Sequence, residues 1–215
     1  MSKNQVNYKT DLHKIKNSQT IPFNDKQSGD RVDIIFKLDG GEEGFYSEEY
    51  RPSCHDDYSK RIDITCGVNK TSESSVEWNL YEVKKSLTGE DKIRDVFEQF
   101  EAGYYYLKNG YLKDYNKNSG HFGIFTGKYD EVILNKKISA SEERVAVVKS
   151  GKKISLGQLK IKQEINKKEL EIELMKSLIK KEFVYPKTGE VFSIDIQMMN
   201  KINGQNVGTL IVQYK

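Results

Sequence analysis

The sequence contains few cysteines and no long apolar run. Only Cys54 and Cys66 are present, which excludes a disulfide framework and predicts two free thiols in a reducing compartment. No stretch of even about 15 consecutive apolar residues occurs, so a membrane-spanning helix is not expected. Residues 1–16 are polar and lack the apolar region of a secretory signal. These absences predict a cytoplasmic protein with no membrane partner.

The charge is nearly balanced, because 35 basic residues oppose 32 acidic residues and leave a net charge of +3. Such a balance neither requires nor excludes a polyanionic partner. Aromatic residues make up 11% of the 215 residues, which is too high a fraction for a disordered chain. The length suits one ordinary domain that can bury a hydrophobic core.

The first part of the chain alternates polar turns with short β-branched segments. Residues 1–30 are polar and turn-rich, which predicts an arm with at most a short helix over 8–15. Residues 31–36 are typical of a strand, whereas residues 39–58 are interpreted as a long loop. Two more strands are predicted, joined by a polar hairpin loop, at 60–66 and 76–84.

Segment 90–108 has the clearest helical pattern in the chain. Its apolar residues recur at three- and four-residue spacing and form one stripe: Ile93, Val96, Phe97, Phe100, Tyr104 and Leu107. Thr88 or Gly89 would cap the start of this helix. Asn109-Gly110 would end it.

The C-terminal part combines weaker strand patterns with one long charged helix. Strands are predicted at 121–126, 131–134 and 144–149. Segment 156–182 has no proline and carries apolar residues on two faces, and a face left uncovered would form a homodimer contact. A final hairpin is predicted from two strands that turn at Asn203-Gly204, namely 190–197 and 207–214.

These elements predict an α/β protein with a mixed central β-sheet flanked by helices. Residues 1–30 would form a polar arm, and residues 31–135 would form the core. Residues 136–215 would form a C-terminal extension that packs on the same domain and consists of the helix 156–182 and the hairpin.

Three charged residues on two successive predicted strands form the strongest candidate site. Asp63 lies in the strand predicted at 60–66. After 18 intervening residues, the strand predicted at 76–84 ends in Glu82-Val83-Lys84. Strand alternation sends Glu82 and Lys84 to one face and Val83 to the other. If the strands pair, Asp63 can lie beside Glu82, and two carboxylates with the Val83 carbonyl would suit Mg²⁺. Lys84 would then lie within reach of a metal-bound water or of a phosphate.

This arrangement resembles the PD-(D/E)XK phosphodiesterase superfamily, the restriction-endonuclease-like nucleases. The resemblance covers about residues 31–135 and lies in the order of a strand with Asp63, a hairpin loop, a strand with Glu82-Val83-Lys84, and a helix. In that family the Asp comes from the second core strand and the E-x-K from the third. In the recombination-exonuclease branch the following helix carries a Gln that supports the site. Gln99 takes that place here, with one more residue of spacing to Tyr104 than in that branch.

The resemblance implies a metal-dependent nuclease that hydrolyses DNA phosphodiester bonds, with DNA favoured over RNA. A restriction, defence or mobile-element enzyme would fit, by analogy of fold. Asp63 and Glu82, with the Val83 carbonyl, would hold Mg²⁺, for which Mn²⁺ can substitute. Lys84 would position the attacking water. A further upstream acid is common in the family, and four candidates stay open: Glu48, Glu49, Asp56 and Asp57.

Other interpretations of these residues also stay open. The E-x-K pattern by itself carries little weight in a chain rich in Glu and Lys, and Glu90-Asp91-Lys92 repeats it at a helix start. Asp63, Glu82 and Lys84 could instead form a solvated strand face with cross-strand charge pairs. The chain would then be a non-catalytic nucleic-acid-binding or assembly subunit of the same fold. A structural protein that dimerises through the helix 156–182 is the remaining alternative.

Overall fold

The described part of the protein has a mixed α/β fold of two sheets and three helices, which confirms the predicted class. The structure is a computed structural model that describes residues 12–26, 28–50, 60–150 and 158–214. Within these residues the helices are α1 (Glu90–Asn109), α2 (Glu131–Ser150) and α3 (Gln158–Lys180). The strands are β1 (His13–Ile15), β2 (Gln19–Asn24), β3 (Arg31–Phe36), β4 (Glu42–Tyr50), β5 (Ile62–Lys70), β6 (Ser75–Lys84), β7 (Lys117–Thr126), β8 (Glu182–Val184), β9 (Val191–Met198), β10 (Asn200–Ile202) and β11 (Gln205–Val212).

The larger sheet contains seven strands in the order β1-β4-β5-β6-β7-β9-β8. Strands β4, β5 and β6 are antiparallel neighbours, whereas β7 runs parallel to β6 and β9 runs parallel to β7. Parallel neighbours need a crossover connection, and α1 provides the one between β6 and β7. The sheet is therefore an antiparallel meander that continues into a parallel half.

Strand β6 is buried on both faces and separates two hydrophobic clusters. Trp78 and Leu80 pack on one side with residues of the three helices. Tyr81 and Val83 pack on the other side with the smaller sheet, whose strand order is β10-β11-β3-β2. The molecule thus has three layers, in which the seven-stranded sheet lies between the helices and the four-stranded sheet.

The sequence pattern of α1 is confirmed by the residues that this helix buries. The predicted stripe is buried against the sheet: Ile93, Val96, Phe97, Phe100, Tyr104 and Leu107. The helix begins after Gly89, which makes no side-chain cap, and at its end the Gly110 N–H donates to the Tyr106 carbonyl at 3.0 Å. The predicted strands at 31–36, 60–66, 76–84 and 121–126 are also present, although three of them extend further than predicted.

Two N-terminal segments that were predicted to lack strands contain them. The loop predicted over 39–58 contains β4, and the arm predicted over 1–30 contains β1 and β2. The short helix predicted over 8–15 is wrong for His13–Ile15, which pair with β4. Strands β1 and β2 lie at sheet edges, where fewer side chains need to be apolar, so their sequences carry a weak strand pattern. Residues 1–11 and 51–59 lie outside the described residues.

The strands predicted over 131–134 and 144–149 are wrong, because both segments belong to α2. Leu134, Ile138 and Ser141 are buried at helical spacing, and Val145 packs beside them. The β-branched composition suggested strands, but Val147 and Val148 are exposed on the helix surface. The three- and four-residue spacing of the buried residues therefore agrees with the observed helix, whereas the β-branched composition does not.

The two C-terminal strands form, but the predicted hairpin between them is wrong. Strand β9 runs parallel to β7 in the larger sheet, and β11 runs parallel to β3 in the smaller one. The turn at Asn203 and Gly204, both at positive φ, joins β11 to the short strand β10 instead. Residues 136–215 thus contribute strands to both sheets.

Helix α3 confirms the prediction over 158–180, and most of its apolar side chains pack within the chain. It contacts α1, α2 and β8. Ile172, Met175 and Leu178 are buried, Leu174 is partly buried, and Leu170 is 47% exposed. Helix α2, which the sequence analysis missed, packs on α3 and covers part of its second face, while Leu170 stays exposed. No helix in the described part of the chain is both long and apolar enough to span a membrane.

The outer strands of both sheets are short or interrupted. Strands β1, β8 and β10 each contain 3 residues. The remaining outer strand, β2, contains Pro22, which has no N–H to donate.

Candidate active site

Backbone pairing between β5 and β6 ends where the candidate site begins. The pairs run from Lys70 opposite Ser75 to Ile64 opposite Tyr81, so Asp63 and Glu82 are the next opposed residues. From this point the two carboxylates, rather than main-chain carbonyls, accept the hydrogen bonds between the strands. The Val83 N–H donates to Asp63 Oδ2 at 2.8 Å, and the Asp63 N–H donates to Glu82 Oε1 at 3.1 Å. The strand ends are therefore joined through two acidic side chains.

Lys84 lies on the same side and contacts both carboxylates. Its Nζ donates to Glu82 Oε2 at 2.5 Å and lies 3.8 Å from Asp63 Oδ2. The Glu82 side chain is 0% exposed, whereas the Asp63 and Lys84 side chains are 20% and 18% exposed. A buried carboxylate is costly unless it is paired and hydrogen-bonded, and Lys84 supplies that pairing.

Burial dominates the electrostatics of the two acids. It raises the pKa of Glu82 well above the ordinary value, and the nearby charge of Asp63 adds to this increase. Burial also raises the pKa of Asp63, which Lys84 and the Val83 N–H offset only in part. For Lys84, burial favours a lower pKa, but the charges of Glu82 and Asp63 outweigh it and the pKa is raised. Lys84 therefore remains an ammonium group at neutral pH.

Val83 and Gln99 take positions that support the strand ends. The Val83 side chain is buried on the opposite face, against the four-stranded sheet. Gln99 lies on α1, and its Nε2 donates to the Arg61 carbonyl at 2.8 Å, two residues before Asp63. Its Oε1 is buried and has no hydrogen-bond partner among the residues that the structure describes. Gln99 thus holds the chain that leads into Asp63.

Two further acids near the site were missed by the sequence analysis. Asp25, just after β2, lies close enough for its charge to raise the pKa of Asp63 and of Lys84. Asp95 on α1 is bound by Lys60 at 2.8 Å. Burial favours a higher pKa for Asp95, but Lys60 and Lys84 lower it, so Lys84 is near this carboxylate too. Asp95 lies one helical turn before Gln99, a spacing that could have indicated it.

The candidates for an upstream acid lie elsewhere or outside the described residues. Glu48 is opposite Ile64, on the face of β5 that packs against the smaller sheet, and accepts a hydrogen bond from Tyr46 at 2.9 Å. It therefore does not face Asp63. The side chain of Glu49 and the residues Asp56 and Asp57 are not among those described.

The donors for a metal ion at this site are two carboxylates and the main chain. In the described ranges no group of three or more His, Cys, Asp or Glu side chains is arranged to hold a metal ion. Mg²⁺ commonly binds through one or two carboxylates and keeps several waters, so the chemistry of this donor set is compatible with it. The Lys84 ammonium group already contacts the carboxylate oxygen atoms that a metal ion would bind.

Comparisons with known proteins return no match. No protein-family model matches the chain, and no curated protein or solved structure is similar to it at a significant level. The function must therefore be argued from the residues and geometry of the site itself.

Proposed function

We propose that this protein is a metal-dependent nuclease that hydrolyses phosphodiester bonds in DNA. The observation that carries the proposal is the convergence of Asp63, Glu82 and Lys84 at the point where β5 and β6 stop pairing. The order of elements gives further support. Asp63 lies on the second strand of the meander, Glu82 and Lys84 lie on the third, and α1 then leads to a parallel strand. This is the order that the resemblance to PD-(D/E)XK nucleases implies.

Asp63 and Glu82, with the Val83 carbonyl, would hold the Mg²⁺ or Mn²⁺ ion that such hydrolysis needs. When bound, the ion supplies Lewis acidity and lowers the pKa of a coordinated water. The protein contributes a buried acidic pair whose orientation is fixed by the Val83 and Asp63 N–H groups. Binding requires Lys84 to release Glu82 Oε2, which frees its ammonium for the substrate.

Lys84 acts in this proposal as a hydrogen-bond donor rather than as a base. Without a bound metal, the charges of Glu82 and Asp63 outweigh burial and raise the pKa of Lys84, so the side chain carries a proton that it can donate. The ammonium can then orient the attacking water and offset the negative charge that develops on the phosphate in the transition state. Asp95 and Lys60 lie beside it and would keep the surrounding charge nearly balanced.

The test compares cleavage by the wild type with cleavage by single variants. Plasmid DNA, linear duplex, single-stranded DNA and RNA are incubated with Mg²⁺, Mn²⁺ or EDTA. We expect cleavage of DNA that needs the metal, and a loss of at least about 100-fold in Asp63→Ala and Glu82→Gln. Glu77→Gln is the matched control, because Glu77 lies on the same strand and faces the opposite side. Full activity in a folded Asp63→Ala protein would contradict the assignment.

A non-catalytic nucleic-acid-binding role is the second candidate, and one observation favours it. Lys84 Nζ already binds Glu82 Oε2 at 2.5 Å and lies 3.8 Å from Asp63 Oδ2, as in a structural ion pair. In that case DNA would be bound with strong salt dependence but would stay intact with every metal. Binding measured in EDTA beside the cleavage assay separates the two roles.

A further inference from the structure

A polar pocket lies on a part of the larger sheet that the smaller sheet leaves uncovered. Its volume is about 460 Å³, which is within the range of about 300–1,000 Å³ that is usual for small-molecule sites. Ile211 and Gln213, from the end of β11, line it on the side of the smaller sheet. The polar side chains that line it come from β6, β7 and β9: Glu77, Asn79, Ser119, His121, Ser193 and Asp195.

The pocket and the candidate active site lie on opposite faces of β6. Glu77 and Asn79 are opposite Ser119 and His121 in the parallel pairing of β6 with β7. By strand alternation these residues share the face of Tyr81, which packs toward the smaller sheet. The candidate active site lies on the other face, which packs toward the helices. A ligand in the pocket would therefore not contact that site.

Tyr81 fixes the position of Asp195 across strand β7. Its ring lies on Gly123, the β7 residue opposite Asp195, where an added Cβ atom would be only 2.0 Å from Cε1 of Tyr81. The Tyr81 hydroxyl donates to Asp195 Oδ2 at 3.2 Å and lies 3.0 Å from His121 Nε2. Burial raises the pKa of Tyr81, so the hydroxyl keeps the proton that it donates. Because a hydroxyl has only one proton, His121 donates to its oxygen.

The Asp195 carboxylate is oriented through one oxygen and leaves the other available. Gln197 Nε2 donates to the same Oδ2 atom as Tyr81. In the described ranges no group donates to Oδ1 and no cation pairs with this carboxylate, which is exposed. Glu182 of β8 is opposite Ser193 and adds a further acid to this face. No lysine or arginine of the described chain lines the pocket. The pocket therefore presents negative charge and hydrogen-bond acceptors to a ligand.

We propose that this pocket binds a small organic cation that carries an ammonium or guanidinium group. The cationic N–H groups would donate to Asp195 Oδ1, because hydrogen bonds between ionised partners are the strong ones. The side chains of Asn79, Ser119 and Ser193 offer further hydrogen bonds to a polar ligand. Phosphates and carboxylates are disfavoured, since Glu77 and Asp195 would repel them. This binding does not depend on nuclease activity.

Titration of ¹⁵N-labelled protein in EDTA, followed by NMR, tests the pocket. The probe is agmatine, which carries both an ammonium and a guanidinium group, and neutral 1,4-butanediol and anionic glutarate are the matched control compounds. We expect saturable binding of agmatine below about 10 mM, with changes in amide chemical shift confined to β6, β7, β9 and the end of β11. Absence of saturable binding would overturn the proposal, as would equal binding of either control compound.

Four variants locate the bound cation. Asp195→Asn should weaken binding at least about tenfold, because it removes the charge that holds the ligand. Tyr81→Phe keeps the ring, removes the hydroxyl that orients Asp195, and should weaken binding about threefold or more. Glu173→Gln, which changes an exposed acid of α3 in the helical layer, should bind like the wild type. Asp63→Asn should also bind like the wild type.

Each of these variants can contradict the proposal. Unchanged affinity in Asp195→Asn would overturn it, and unchanged affinity in Tyr81→Phe would remove the positioning role of the hydroxyl. Binding lost in Asp63→Asn would overturn it too, because the cation would then lie at the candidate active site. Since Asp195 is exposed, Asp195→Asn should fold, and it decides the outcome even if Tyr81→Phe does not fold.

Discussion

Arg94 Nη1 lies 3.2 Å from Oε1 of Glu171, a carboxylate on α3 whose side chain is only 3% exposed. Lys168 Nζ binds the other oxygen of Glu171 at 2.7 Å and also binds Glu90 of α1 at 2.6 Å. These four side chains join α1 to α3 through charge-assisted hydrogen bonds in an otherwise apolar contact. Glu171 is the central acceptor of the network.

Removing Glu171 should therefore destabilise the fold. We expect Glu171→Ala to lower the free energy of unfolding by about 2–4 kcal/mol, because Arg94 and Lys168 lose their shared partner. Glu169→Ala is the matched control, since Glu169 pairs with Lys149 at the surface and should change stability by less than about 1 kcal/mol. Urea unfolding of both variants measures the difference. Equal effects would show that Glu171 is not central to the packing of the helices.

Glu82 should make stability depend on pH. Its pKa in the folded state is raised above the ordinary 4.5, so the folded protein binds this proton more tightly than the unfolded chain. The stability that this group contributes is present below pH 4.5. It is lost as the pH rises through the higher pKa that Glu82 has in the folded state. We expect the free energy of unfolding of Glu82→Gln, relative to wild type, to increase as the pH rises from 4.5 in metal-free buffer. Urea unfolding at several pH values checks this, and a difference independent of pH would contradict it.

Gly123 should tolerate no side chain. A Cβ atom there would lie 2.0 Å from Cε1 of Tyr81, whose ring covers this glycine. We expect Gly123→Ala to lower the free energy of unfolding by about 3 kcal/mol, because Tyr81 is buried and must shift. Gly40→Ala is the control, since no atom lies within 4 Å of a Cβ at Gly40. Chemical denaturation measures both, and a stable Gly123→Ala protein would show that Tyr81 can move freely.

The homodimer remains a prediction, and Leu170 is now its best probe on α3. Leu174 is partly buried against the core, so Leu174→Glu should destabilise the monomer. Leu170 is exposed, so Leu170→Glu should leave the fold intact. Sedimentation at several concentrations compares the wild type with both variants. We expect a dimeric wild type that Leu170→Glu converts to a folded monomer. A monomeric wild type would contradict the prediction.

The fold was predictable from sequence where one pattern fixed both local structure and packing. Helix α1 has a single apolar stripe, and β6 has an apolar core ending in charged residues, so both elements were found with nearly correct bounds. Strand β4 and helix α2 were missed for opposite reasons. Strand β4 is polar for a strand between two neighbours, and α2 is rich in β-branched residues for a helix. Their structures depend on what they pack against, which local patterns do not show.

The candidate site also has a part that could be predicted from the sequence and a part that could not. The opposed positions of Asp63 and Glu82 follow from a hairpin whose two strands could be identified, so the sequence analysis placed them correctly. Asp25 follows β2, which belongs with β3 to the second sheet. That sheet needs β11, from the far end of the chain, to pair with β3. The position of Asp25 near the site therefore depends on a long-range pairing that no local pattern indicates.

The short outer strands described above also affect how the protein meets other chains. A long outer strand offers a row of free backbone donors and acceptors, and such a row is a template for adding further strands. In the described fold β1, β8 and β10 end after 3 residues, and Pro22 interrupts the donors of β2. These four outer strands should therefore resist the addition of further strands. Association between native molecules at these four strands would rely more on side chains than on backbone hydrogen bonds.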